Sequence, residues 1–188
     1  MAKTESTMLA LGTEAPDFSL PNTDGKIINL SDFSDAKALL VMFICNHCPY
    51  VIHIRDQLAK LTTEYMKKNV AIVAINSNDV VAYPQDSMEN MKKEKQLHGY
   101  QFDYLFDESQ NVAKAYRAAC TPDFFLFDAN RHLAYRGQMD GARPGNSIVN
   151  DGVDLRTALE CILIGARPSS NQKPSLGCNI KWKLGNEP

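Results

Sequence analysis

Two cysteines three residues apart, Cys45 and Cys48, enclose Asn46 and His47. That spacing suits thiol–disulfide exchange: one thiolate attacks a disulfide, and the second thiol displaces the product from the mixed disulfide. The pair follows an apolar run and opens an amphipathic segment, so a strand should end and a helix begin here. Unpaired N–H groups and the positive end of the helix dipole favour the thiolate at such a junction. His47 lies between the two thiols, where an imidazole can stabilise a neighbouring thiolate. Cys45 is expected to attack, Cys48 to resolve, and His47 to tune the thiolate.

The competing chemistry is metal binding. Structural zinc takes four ligands, and the chain has no second Cys-x-x-Cys and no His-x-x-x-His; His53 falls off the helical face that carries Cys48. A soft metal held by Cys45, Cys48 and a distant ligand stays open. No metal and no cofactor is assigned.

Three further cysteines stand apart from the motif. Cys120 precedes Thr121-Pro122 and reads as a small buried filler or a third redox thiol. Cys178 lies beside Gly177, four residues before the lone Trp182. It reads first as an inert thiol in a tail pinned by that tryptophan, and second as a resolving thiol folded over the active centre. Cys161 sits inside the last helical pattern and reads as packing. Five cysteines in a chain of 188 residues is an odd count, which argues against a disulfide framework and for functional thiols in the cytosol. His53, His98 and His132 are isolated. Arg143, in a polar loop, is either solvated or a contact for an anionic group such as that of glutathione.

The elements that must position these residues follow from periodicity. Phe18–Leu20 and Ile27–Leu30, joined through Asp24-Gly25, read as a β-hairpin. Ala38–Ile44 is apolar at every position, the pattern of a strand buried on both faces. Val51, Ile54, Leu58, Leu61 and Tyr65 recur at helical spacing, and Val70–Ile75 is a second buried strand. A helix is expected from near Asp86, with Glu89 completing a capping box, to Gly99. Tyr104–Phe106, a short helix over 110–118, strands at Phe124–Phe127 and His132–Arg136, a polar loop over 137–151 and a helix around Leu155–Leu163 complete the series. Strands that alternate with helices require crossovers, so the fold class is α/β, with a mixed central sheet flanked by helices.

Strand, Cys-x-x-Cys at a helix start, and Thr121-Pro122 before a late strand together resemble the thioredoxin superfamily. The resemblance implies a cis Pro122 beside the cysteines, with Thr121 as the residue whose backbone contacts substrate. Ala15–Leu20 with Asp24-Gly25, the stretch Phe43–Tyr50 and the tail Gly177–Lys183 are similar to the peroxiredoxin-like branch, the alkyl hydroperoxide reductase and thiol-specific antioxidant proteins. The domain plan implied is a loose leader over 1–15, a thioredoxin-like domain over 16–165, and an extended C-terminal tail over 166–188 packed on it. In peroxiredoxins a Pro-x-x-x-Thr/Ser-x-x-Cys places the peroxidatic cysteine where Cys48 stands. Here Val41 replaces the proline, Cys45 the Thr or Ser, and Pro122 takes about the place of the peroxide-polarising arginine. Many thioredoxins carry a buried acid where this chain has Leu39.

The expected function is a cytoplasmic thiol-disulfide oxidoreductase, an antioxidant or reductant, acting on a disulfide-containing protein or a small thiol substrate and recycled by a thioredoxin or glutathione system. A non-standard peroxidase is one alternative, and a metal-binding or chaperone protein without turnover another. A net charge of −2 gives no reason to expect nucleic acid as a partner. Met1–Thr7 lacks an apolar signal core, and the longest apolar run, Ala38–Cys45, is too short to span a bilayer, so no membrane partner is expected.

Overall fold

The structure is a computed structural model and describes residues 3–188. Its strands are β1 (Lys3–Glu5), β2 (Ser19–Pro21), β3 (Ile27–Asn29), β4 (Ala38–Phe43), β5 (Val70–Asn76), β6 (Asp103–Phe106), β7 (Cys120–Thr121), β8 (Asp123–Phe127), β9 (Leu133–Gly137) and β10 (Leu176–Asn179). The helices are α1 (Pro49–Met66), α2 (Met88–His98), α3 (Asn111–Ala115) and α4 (Val153–Leu163). The main sheet has the order β6-β5-β4-β8-β9. β4, β5 and β6 run parallel, while β8 and β9 are antiparallel. This is the mixed, helix-flanked sheet of a thioredoxin-like fold.

Alternation along β4 divides the core. Ala38, Leu40 and Met42 face the layer that holds Val51, Ile54 and Leu58 of α1 and Leu155 and Leu159 of α4. Leu39, Val41 and Phe43 face the layer of Leu20, Ile28, Ala113 and Tyr116. Successive strand side chains point to opposite faces, so a strand covered on both sides must be apolar throughout. Leu39 accordingly packs as core.

Two boundaries differ from the sequence expectation. The N-cap of α2 falls one residue after Asp86: Ser87 takes that place and accepts from Asn90 N at 3.4 Å. The carboxylate of Asp86 is thereby free to face the cysteine loop. The leader, whose first two residues lie outside the described residues, is not loose. Lys3–Glu5 pairs antiparallel with Cys178–Leu176, and Leu9 is buried. β10 is the middle strand of a second sheet, β1-β10-β7. A three-residue and a four-residue strand are too short for periodicity to reveal.

Asp123, opposite Phe43 in the register, is fully buried, and its Oδ2 has no hydrogen-bond partner. Burial raises this carboxyl well above the usual carboxylate range, against the pull of the Phe124 N–H. Because the folded value lies above the unfolded one, the group stabilises the fold only at low pH, and that stability is lost as pH rises above about 4. Asp123→Asn is expected to match wild type below that pH and to gain roughly 1–3 kcal/mol over it at pH 7. Urea unfolding of both proteins across the range checks this; a constant difference would mean that Asp123 does not titrate between the states.

Candidate active site

β4 ends at Phe43, and α1 begins at Pro49, a residue suited to the first helical position because its missing N–H would be unpaired there. Cys48 is therefore the N-cap. Cys45, three residues earlier, sits in the turn between strand and helix. Both are buried, with 1% and 0% of their surface exposed.

Two groups meet Cys48: its Sγ lies 3.1 Å from Thr121 O and 3.0 Å from Cys178 Sγ. Thr121 also reaches Cys45, Oγ1 to Sγ at 3.4 Å. The Thr121–Pro122 peptide bond is cis. As a thiol, Cys48 donates to Thr121 O. As a thiolate it is favoured by the neighbouring Cys45 thiol first and by the Cys178 thiol at 3.0 Å. Those donors outweigh the single carbonyl and the cost of burial, and they lower Cys48 to about 5. Cys45 moves the other way, well above the ordinary thiol, through its hydrogen bond to Cys48, its burial and the charge of Asp86.

The helix begins after Cys48, which sets Cys48 rather than Cys45 at the positive end of the α1 dipole.

The His47 ring lies within 4.8 Å of Cys45 Sγ but hydrogen-bonds neither sulfur. Nδ1–H donates to Asp86 Oδ2 at 2.6 Å, and the ring stacks on Tyr83 with centroids 5.4 Å apart and planes within 7°. Asp86 is wholly buried and holds the loop between the cysteines: Oδ1 accepts from Asn46 N at 2.9 Å, and Oδ2 accepts from Asn78 Nδ2 at 2.8 Å. Tyr104 Oη–H completes the cradle by donating to Asn46 Oδ1 at 3.1 Å. Asp86, Asn78, Tyr83 and Tyr104 all escaped the sequence reading. The one available signal was an acid just before a helix, and it was absorbed by the capping pattern.

Cys45, His47 and Asp86 offer donor atoms within 4.8 Å of one another. They number three rather than the four of a closed structural site, and the imidazole and carboxylate already satisfy each other. Cys120 points away from the cluster. Its Sγ is 3.6 Å from Pro122 O, and burial followed by the nearby Asp123 charge pushes it far up the scale. Arg143 is not a free anion contact: its guanidinium donates to Asp140 O, Ala142 O and Gln138 Oε1 within its own loop. No helix among the described residues is long and apolar enough to cross a membrane.

Comparison with known proteins places this geometry among relatives. The profile of the AhpC/TSA family matches residues 11–136. The thiol-disulfide oxidoreductase ResA of Geobacillus kaustophilus is 32% identical over 127 residues, 68% of this chain and 68% of its own length. The crystal structure of a conserved protein from Geobacillus kaustophilus superposes with a TM-score of 0.95 at 52% identity, covering 97% of each chain. Peroxidoxin BcpB from Mycobacterium tuberculosis shares the fold, with a TM-score of 0.62 at 16% identity over 84% of this chain and 97% of its own.

Proposed function

The chain belongs to the AhpC/TSA family, and from that premise we propose that it is a thiol-disulfide oxidoreductase in which Cys48 attacks and Cys45 resolves. The observation that carries this reading is the place of Cys48 at the N-cap of α1, where its Sγ lies 3.0 Å from Cys178 Sγ and 3.1 Å from Thr121 O. A thiolate so held attacks a disulfide sulfur of the substrate and forms a mixed disulfide. Cys45 then loses its proton, attacks Cys48 Sγ and expels the substrate as a thiol. Thr121 lines the approach, with its carbonyl beside Cys48 and its hydroxyl beside Cys45.

The substrates are disulfide-bearing proteins or small disulfides such as oxidised glutathione, and the oxidised pair is recycled by a thioredoxin or glutathione system. In the cytoplasm, which is reducing, the pair acts as a reductant. Burial of both sulfurs favours a small disulfide over a bulky one, because a protein disulfide reaches Cys48 only when the surface above it yields.

The test is the rate of mixed-disulfide formation with oxidised glutathione as a function of pH. The rate is expected to rise about tenfold per pH unit below about 5 and to level off above it, following the Cys48 thiolate. A profile that keeps climbing to pH 9 would mean that an ordinary thiol attacks. Hydrogen peroxide is the control substrate. The hydrogen-bond partners of Cys48 Sγ include no arginine or lysine. Peroxide consumption is therefore expected at the rate of an unassisted thiolate, about 10²–10³-fold below that of a site with donors on the leaving oxygen. Consumption at the higher rate would establish the peroxidase reading instead. Stoichiometric metal in the purified protein, with no exchange, would establish the binding reading.

A further inference from the structure

The C-terminal strand brings a third sulfur to the reacting centre. β10 lies antiparallel to β7 with Cys178 opposite Thr121 and Asn179 opposite Cys120, the arrangement a bound peptide would take by adding a strand to that edge. The approach is close enough to require glycine at 177, where a Cβ would stand 2.0 Å from Thr121 O and 2.6 Å from Thr121 C. The strand is held on both sides of Cys178. Ser6 N donates to Ser175 O, Ile180 N donates to Ala119 O, and Lys181 N donates to Asn78 Oδ1, at 2.9, 3.1 and 2.8 Å. Its result is a Cys178 Sγ fixed 3.0 Å from Cys48 Sγ. That separation falls within the ~3–3.5 Å of a near-attack arrangement and only about 1 Å beyond a disulfide bond.

We propose that β10 is a built-in substrate strand and Cys178 a second resolving thiol, so that Cys48 alternates between a bond to Cys45 and a bond to Cys178. The proposal rests on the Cys45/Cys48 exchange described above. In the step, Cys178 gives up its proton and attacks Cys48 Sγ. The Cys45–Cys48 bond breaks as the Cys48–Cys178 bond forms, and Cys45 leaves with the electron pair and takes up a proton. Cys178 is oxidised, Cys45 is reduced, and no external oxidant is consumed. The sulfurs already face one another, so the strand need not detach. Oxidising equivalents taken up at Cys48 thereby pass to the tail.

The experiment is disulfide mapping of the full chain equilibrated in glutathione buffers, quenched in acid, alkylated in denaturant and digested without reduction. Wild type is expected to give both an internal bond in the peptide that carries Cys45 and Cys48 and a crosslink from that peptide to the one that carries Cys178. Cys45→Ser is expected to retain the crosslink as its main oxidised product. A wild type with no crosslink at any glutathione ratio overturns the proposal, and needs no variant to fold. So does a Cys45→Ser protein whose Cys48 ends as a glutathione adduct with Cys178 free. Cys178→Ser separates the two readings: it should keep the Cys45–Cys48 bond. Loss of that bond there would overturn the Cys45/Cys48 pair itself, and with it the exchange.

Discussion

Cys48→Ser is expected to abolish disulfide exchange, lowering its rate by about 10³-fold or more, because serine cannot supply a thiolate and no other sulfur occupies the helix N-cap. Cys45→Ser is expected to differ in kind. Attack by Cys48 continues, and what fails is release through the Cys45–Cys48 bond. Single-turnover reaction with oxidised glutathione, followed by the rate at which reduced glutathione is released, separates the two. If Cys45→Ser is the variant that loses attack, then the first cysteine is the nucleophile and the donors around Cys48 serve some other end. Stability provides a second arm that needs no substrate. Cys48 sits at about 5 in the folded protein, against about 8.5 for a free thiol. A depressed folded value contributes stability that is fully present above the unfolded pKa and is lost as pH falls through the folded one. Cys45 and Cys178, the latter raised to about 12 by burial and by its hydrogen bond to Cys48, carry the opposite sign, and their contribution is lost only above about 8.5. Between pH 5 and 8 the Cys48 contribution should therefore grow as pH rises, against the opposite trend of Asp123, so Cys48→Ser should fall progressively below reduced wild type over that range. Denaturant unfolding of the reduced proteins checks it.

The difference between Cys45 and Cys48 shows where the sequence is informative. The motif and its junction were legible because the evidence is local: an uninterrupted apolar run, two cysteines, then apolar residues at helical spacing. The same holds for β5, α1 and α4, whose patterns run over six residues or more. What bears on the order of attack is a helix N-cap at Cys48 rather than three residues earlier at Cys45, and boundaries are where pattern reading is weakest. The placement of Cys178 was left open between two readings for a different reason. It lies 130 residues from Cys48 on a four-residue strand between two others of three and two. Pairings that short leave no periodic trace, and only the assembled topology brings them together. Gly177 beside Cys178 was the one local mark, and a glycine alone does not say which backbone it must meet.

Asp86→Ala is expected to destabilise the protein by about 3–5 kcal/mol and to disorder the loop between the two cysteines. Its carboxylate is fully buried and takes hydrogen bonds from Asn46 N, from His47 Nδ1 and from Asn78 Nδ2. Alanine leaves all three donors without this acceptor, and those that stay buried then bear a desolvation cost. Damage should also spread to the tail. Asn78 donates to Asp86 with its amide and accepts Lys181 N with its carbonyl, so one side chain ties the cysteine loop to the segment that carries Cys178. Asp86→Asn separates positioning from electrostatics. It keeps the shape and one acceptor, so the stability loss should be smaller, yet it removes a charge that helps to hold the Cys45 thiol high. In that variant the thiolate absorbance of Cys45 should appear at lower pH than in wild type, a change that mere loosening of the fold would not direct. If Asp86→Ala unfolds at the wild-type denaturant midpoint, the loop is held by Tyr104 and the helix rather than by this carboxylate. If Asp86→Asn leaves the Cys45 titration where it was, Asp86 acts on the site through geometry alone.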